Sequence, residues 1–307
     1  MDILLDEFSA LRNKLLRLQE ENNHIEALAL IQPFADKGLA IAQHLVGTFH
    51  YYGRSVPEDL KKAVEWLQKA ADQGYGESLS MLGYQYIRGQ GVLKDLNKGL
   101  SLLEQAGKAG VGYAYFQLGE YYGLKSDEDN QYKAANYYIE GIKLDNRDCM
   151  RELALMYAKR NEHKKALELF EMALKLGDVD SAFNAGYMYE EGLGCDQNLE
   201  LAFMLYQAAY KCGSIKALNN IGNMYLNGRH VKEDKQKAFE CYLEASNKGD
   251  EVSQFNIGNM YYTGDMPQDL EVALVWFKKS LENGNQRAGK FIAEIEQIRN
   301  KKLRDLN

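Results

Sequence analysis

The chain has 307 residues, three prolines and a formal charge of −7, with a sequence pI of about 5.4. That acidic balance argues against nucleic acid as an electrostatic partner, because such binding rests on neutralising phosphate. No apolar run reaches the roughly 18 residues of a membrane span, and the start, Met1-Asp-Ile-Leu-Leu-Asp-Glu-Phe8, lacks the basic region and apolar core of a signal peptide. The expected compartment is the cytoplasm.

Residues 2–22 read as one amphipathic helix, with Leu4, Phe8, Leu11, Leu15 and Leu18 on a single stripe. It is expected to pair with the helix around 27–34 as an N-terminal cap, since the end of a repeat array must cover its open core. The competing reading is a dimer seam; a monomer is expected. The next stretch, Asp59 to Gly74, sets the pattern for the rest. Ala63, Trp66 and Ala70 share one helical face, Asp59 can cap free N–H groups ahead of it, and Gly74 can stop it. The Ala63 position recurs as Ala27, Gly99, Ala134, Ala166, Ala202, Ala238 and Ala273. Eleven residues after each comes a stop, and seven of the eight stops are glycine, with Asp145 the exception. Asp95, Asn130, Asn198, Asp234 and Asp269 are expected as further caps. A spacing held eight times signals a repeat array.

A second series falls between these helices. Leu82-Gly83 with Tyr86 recurs as Leu118-Gly119 with Tyr122, Ile221-Gly222 with Tyr225, and Ile257-Gly258 with Tyr261, while Val46-Gly47 precedes His50. Each period therefore holds two antiparallel helices. The small residue admits the second helix closely, and the tyrosine fills the groove between neighbours.

Leu82-Gly83, Gly89-Gln90-Gly91-Val92, Lys62-Ala63, Trp66 and Lys69-Ala70-Ala71 resemble the Sel-one-like repeat (SLR), a relative of the tetratricopeptide repeat. The resemblance covers roughly residues 25–295 and implies an all-α, right-handed α-solenoid of antiparallel helix pairs. One period departs from it. Ala154 and Ala166 are twelve residues apart, against sixteen from Gly47 to Ala63, which looks like an ordinary tetratricopeptide unit. The expected organisation is a single solenoid over 1–307: an N-terminal capping pair at 1–38, SLR repeats at 39–145, the tetratricopeptide-like repeat at 146–177, SLR repeats at 178–284, and a C-terminal capping helix at 285–307. Leu124 to Asn130 is expected to be an acidic, mobile loop. The last helix carries Ile292, Ile295 and Ile298 on one side, with Lys301, Lys302 and Arg304 favouring its dipole.

No enzyme is read here. Gly284-x4-Gly289-Lys290 begins like a phosphate-binding loop but fails at Phe291, where a hydroxyl should hold magnesium. His24, His44, His50, His163 and His230 are scattered without metal-ligand spacing, so no metal, cofactor or catalytic residue is expected. Cys149, Cys195, Cys212 and Cys241 each replace a repeat position and read as small buried thiols. The regular cysteine pairs of SLR relatives with reported weak hydrolase activity are missing, which leaves that activity a runner-up.

The concave groove is the expected site. Its first half offers His44, Thr48, Tyr51, Tyr52, Ser80, Tyr84, Arg88, Phe116 and Glu120; its middle offers Glu190 and Glu191. The expected binding residues are Tyr187 from the middle and Asn219, Asn223, Phe255, Asn256, Asn259, Tyr262 and Arg287 from the second half. Amides donate and accept at once and suit an extended peptide backbone, and aromatics between them would hold apolar side chains. Asn223, Asn256 and Arg287 fall where tetratricopeptide relatives clamp a terminal carboxylate, although Asn219 and Phe291 stand where cations are usual. The alternative is that the asparagines bond between helices and solvate the wall. The expected partner is a protein or extended peptide. The resemblance further implies a regulatory, host-interaction or toxin-immunity role, with self-assembly through the terminal helices as the alternative.

Overall fold

The computed structural model describes residues 2–54 and 56–305, and among them it forms eighteen α-helices and no strand. They gather into two compact units, Met1–Leu153 and Ala154–Asn307.

The first unit holds α1 (Asp2–Ala10), α2 (Arg12–Glu20), α3 (His24–Asp36), α4 (Ala40–Tyr52), α5 (Leu60–Ala71), α6 (Gly76–Arg88), α7 (Leu96–Lys108), α8 (Gly112–Gly123), α9 (Glu128–Ile142) and the start of α10 (Arg147–Lys159). The second holds the rest of α10, then α11 (His163–Lys175), α12 (Val179–Glu191), α13 (Leu199–Lys211), α14 (Ile215–Leu226), α15 (Lys235–Asn247), α16 (Glu251–Thr263), α17 (Leu270–Glu282) and α18 (Ala288–Asp305). Each helix packs on its successor from α1 to α9 and from α11 to α18, most closely in the pairs α4–α5, α6–α7, α8–α9, α12–α13, α14–α15 and α16–α17. The first helix of each pair carries the Leu-Gly series and the second the Lys-Ala series.

The second helices begin where their caps predict. The side-chain oxygens of Asp59, Asp95, Asn198, Asp234 and Asp269 accept N–H bonds from the first turns of α5, α7, α13, α15 and α17. Asn130 is not a cap. Asp127 accepts the Asn130 N–H instead, and α9 starts at Glu128, so the expected loop shrinks to residues 124–127. The carboxylates of Glu128 and Asp129 suit the positive end of the helix they open. All eight stops are left-handed, including Asp145 at φ 53°.

The helix expected over 2–22 is interrupted at Leu11, whose N–H bonds to Phe8 three residues back. Phe8 and Leu18 both bury in one cluster with Ala27, Ile31, Ala35 and Val46. At the other end, Ala288 and Ile295 of α18 bury against Ala273, Leu274 and Phe277, while Ile298 is exposed. The side chains of Lys302 and Arg304 lie outside the described residues.

The small residue of the first helix does admit the second. A Cβ on Gly222 would lie 2.6 Å from the Tyr242 ring, and one on Gly258 would lie 2.9 Å from Phe277. At Tyr86, Tyr122, Tyr157 and Tyr225 the tyrosine three residues after the small residue meets a lysine rather than only filling a groove. Lys98 Nζ sits 2.7 Å from the Tyr86 hydroxyl and 4.1 Å from its ring centroid, and Lys237 lies 5.3 Å above Tyr225. This gives the lysine of the Lys-Ala pair a physical role.

Candidate binding surfaces

In the second unit, α12, α14 and α16 carry the expected asparagine wall. Its residues divide in two. Asn219 is only 6% exposed. Its amide nitrogen donates to Ser253 Oγ at 2.9 Å, and its oxygen accepts from the Asn223 amide at 3.3 Å. The Asn223 oxygen accepts from the Tyr242 hydroxyl at 2.6 Å. These two amides therefore tie α14 to α15 and α16, the inter-helix role weighed against peptide binding. Asn256 and Asn259 differ. Both are half-exposed on α16, three residues apart and hence on one face, and neither side chain has a hydrogen-bond partner among the described residues.

The aromatics divide in the same way. Phe255 is half-buried, 5.3 Å from both Phe277 and Phe291. Tyr262 lies 5.5 Å from Phe291, and its hydroxyl donates to Glu294 at 3.3 Å. Phe291 thus completes an aromatic cluster where a clamp would need a cation. Tyr187 on α12 and Arg287 ahead of α18 are exposed. Glu190 is buried: it accepts from the Tyr206 hydroxyl at 2.7 Å and pairs with Arg229 at 2.7 Å. Burial and that carboxylate push the Tyr206 hydroxyl strongly up, so it is a fixed donor.

In the first unit, α4, α6 and α8 line two adjoining cavities of about 480 Å³ each. Tyr84, Tyr113 and Gln117 line both. One is closed by Tyr51, Tyr52 and Glu77, and the other by Arg88, Lys94, Glu120 and Tyr121. Tyr51, Tyr52, Tyr84, Arg88 and Glu120 occupy this wall as their helical offsets predict. Phe116 does not, because it is buried beneath Tyr113, with ring centroids 5.4 Å apart. Tyr113 was missed, although it stands at the same offset before Gly119 as Glu77 before Gly83. Burial, then Glu120 and Asp148, push its hydroxyl up; burial, then Tyr84, Tyr52 and Glu58, do so for Tyr51.

Among the described residues no group of His, Cys, Asp and Glu is placed to hold a metal ion, and no helix is long and apolar enough to cross a membrane. Burial pushes the Cys149 thiol up to about 12 and that of Cys241 to about 11.

Repeated helix pairs without a strand among the described residues define an α-helical repeat scaffold. The Sel1 repeat pattern matches residues 40–75, 76–111, 112–146, 148–178, 179–214, 215–250 and 252–285, and the chain belongs to that family. The short period read as tetratricopeptide-like is among the matched segments. A Sel1 repeat protein from Oxalobacter formigenes superimposes with a TM-score of 0.65 at 29% identity, over 88% of this chain and 80% of that one. The protective antigen c5321 of uropathogenic Escherichia coli, described as displaying an SLR fold, superimposes with a TM-score of 0.75 at 24% identity, over 87% of this chain. The match spans 59% of that antigen. The HRD3 component of an ERAD-associated E3 ubiquitin-protein ligase from Candida glabrata is 33% identical over 69 residues, which are 22% of this chain and 8% of HRD3.

Proposed function

We propose that the chain is a non-catalytic adaptor that binds an extended segment of a protein partner along the first helices of its repeats. Tyr187, Asn256, Asn259 and Arg287 make the contacts in the second unit, while Asn219, Asn223, Phe255 and Tyr262 hold those helices in register. The observation that carries this reading is the pair of free amides at Asn256 and Asn259, beside two asparagines whose amides are spent inside the fold. Each free amide offers a donor and an acceptor, which an extended backbone can satisfy without demanding a side-chain sequence. The Sel1 family membership supports a scaffold, and the high thiol values of Cys149 and Cys241 speak against thiolate chemistry at those two positions.

The test is capture from a host lysate by the intact chain beside an Asn256→Ala, Asn259→Ala, Arg287→Ala variant with the same circular dichroism. A partner held by the intact chain and lost from the variant is expected. Equal capture by both would move the site away from this wall.

A further inference from the structure

The tyrosine-walled cavity of the first unit has a chemistry of its own. Tyr51 and Tyr52 come from α4, Tyr84 from α6 and Tyr113 from α8, so three successive first helices converge on one space of about 480 Å³. Its only charged lining group among the described residues is Glu77. Glu77 is exposed in the first turn of α6 and makes no ion pair among the described residues. The nearby imidazole of His44 does not neutralise it: burial pushes His44 down, Glu77 raising it only in part, and its Nδ1 is engaged with Ser78 Oγ at 2.9 Å.

Aromatic faces carry negative charge density and attract cations, and several rings around one space do so together. The rings here already draw cations of this chain: Arg54 lies 5.0 Å from the Tyr52 centroid and Arg88 lies 5.5 Å from that of Tyr84. Neither arginine lines this cavity, and among the described residues no cation lies over the Tyr51 or Tyr113 ring. The charged groups that raise those two hydroxyls are the carboxylates of Glu58, Glu120 and Asp148, while Arg88 and Lys94 line the adjoining cavity that Tyr113 shares.

We infer that this cavity receives a lysine or arginine side chain from a basic segment of a protein partner, its cation held between the Tyr51 and Tyr113 rings and Glu77. The complementarity is of charge as well as shape: an apolar side chain would fill the space but leave Glu77 unpaired. This site uses no residue of the second-unit wall and stands or falls apart from it.

The test is calorimetric titration of the full chain at about 0.15 M salt with a blocked heptapeptide bearing lysine at its third and fifth positions, beside the same peptide with norleucine. The lysine peptide is expected to bind at least about tenfold more tightly. Glu77→Gln and Tyr113→Leu should each weaken it at least about threefold, while Tyr113→Phe, which keeps the ring, should stay within about twofold. Glu200→Gln, at the exposed start of α13, makes the same change in net charge and should leave binding unchanged. Circular dichroism checks that each variant folds; all three substituted positions are exposed. Equal binding of the two peptides, equal loss in Glu77→Gln and Glu200→Gln, or no binding of the lysine peptide at millimolar concentration would each overturn the inference.

Discussion

Arg229 reaches across one full repeat to Glu190. Its Nη1 lies 2.7 Å from the carboxylate, and its Nη2 donates to the Glu190 carbonyl at 3.2 Å. Glu190 also accepts from Tyr206, so the loop after α14 is fastened to α12 and α13 through one buried carboxylate. Removing the arginine leaves that carboxylate without its counter-charge, which in a buried pair costs about 3–5 kcal/mol. Arg229 is itself partly exposed, so Arg229→Met should cost about 2 kcal/mol. Urea unfolding checks this; a change below about 0.5 kcal/mol would reduce the pair to a surface contact.

Gln85 is fully buried, and neither polar atom of its amide has a partner. It stands two residues after Gly83, the offset that Met188, Met224 and Met260 occupy after Gly186, Gly222 and Gly258. A buried, unbonded amide costs about 1–3 kcal/mol. Gln85→Met should therefore stabilise the protein by about 1–2 kcal/mol and raise its melting temperature. A lower melting temperature would mean that an ordered water already satisfies the amide.

Two glycine substitutions should have opposite signs. Gly258→Ala puts a methyl 2.9 Å from the Phe277 ring and should cost about 1–3 kcal/mol. Gly289, the second residue of α18, has nothing within 4 Å of a new Cβ, so Gly289→Ala should gain up to about 0.5 kcal/mol from helix propensity. Thermal melts of the two variants, scanned together, check the contrast.

Much of this was legible in the sequence because repetition turns weak signals into strong ones. The stop at Gly74 is ambiguous alone, but eight copies fix the period, and even Asp145 adopts the left-handed stop its position demands. The Asp127 cap was harder to read, since Asn130 occupies the aligned column while an aspartate three residues earlier competes better for the N–H groups. The wall was only half legible. Helical offset shows which way a residue leaves the backbone, but not whether a neighbouring repeat supplies a bond that consumes it. Ser253 and Tyr242 do so for Asn219 and Asn223. Among the described residues no such partner meets Asn256 or Asn259.

The caps also predict an acid response. Asp59 and Asp234 lie below the ordinary value of 3.8 mainly through backbone N–H bonds from Lys62 and Lys237, and Asp127 mainly through the Asn130 side chain. A depressed carboxyl contributes stability that is present above the unfolded value and lost as pH falls through the folded one. Melting temperature should fall below about pH 4. The Asp59→Asn, Asp127→Asn, Asp234→Asn variant keeps an acceptor at each cap and should show a shallower fall over the same range. Parallel curves would contradict the assignment.

The central claim is that partners are bound by the first helices. Hydroxyl-radical footprinting of the chain with and without its captured partner tests it most directly, because the reagent labels exposed side chains on both faces. Protection is predicted at Tyr187 on α12, with Met204 on α13 and Val275 on α17, both well exposed, labelled as before. Protection of Met204 and Val275 with Tyr187 unchanged would place the partner on the second helices and contradict the account.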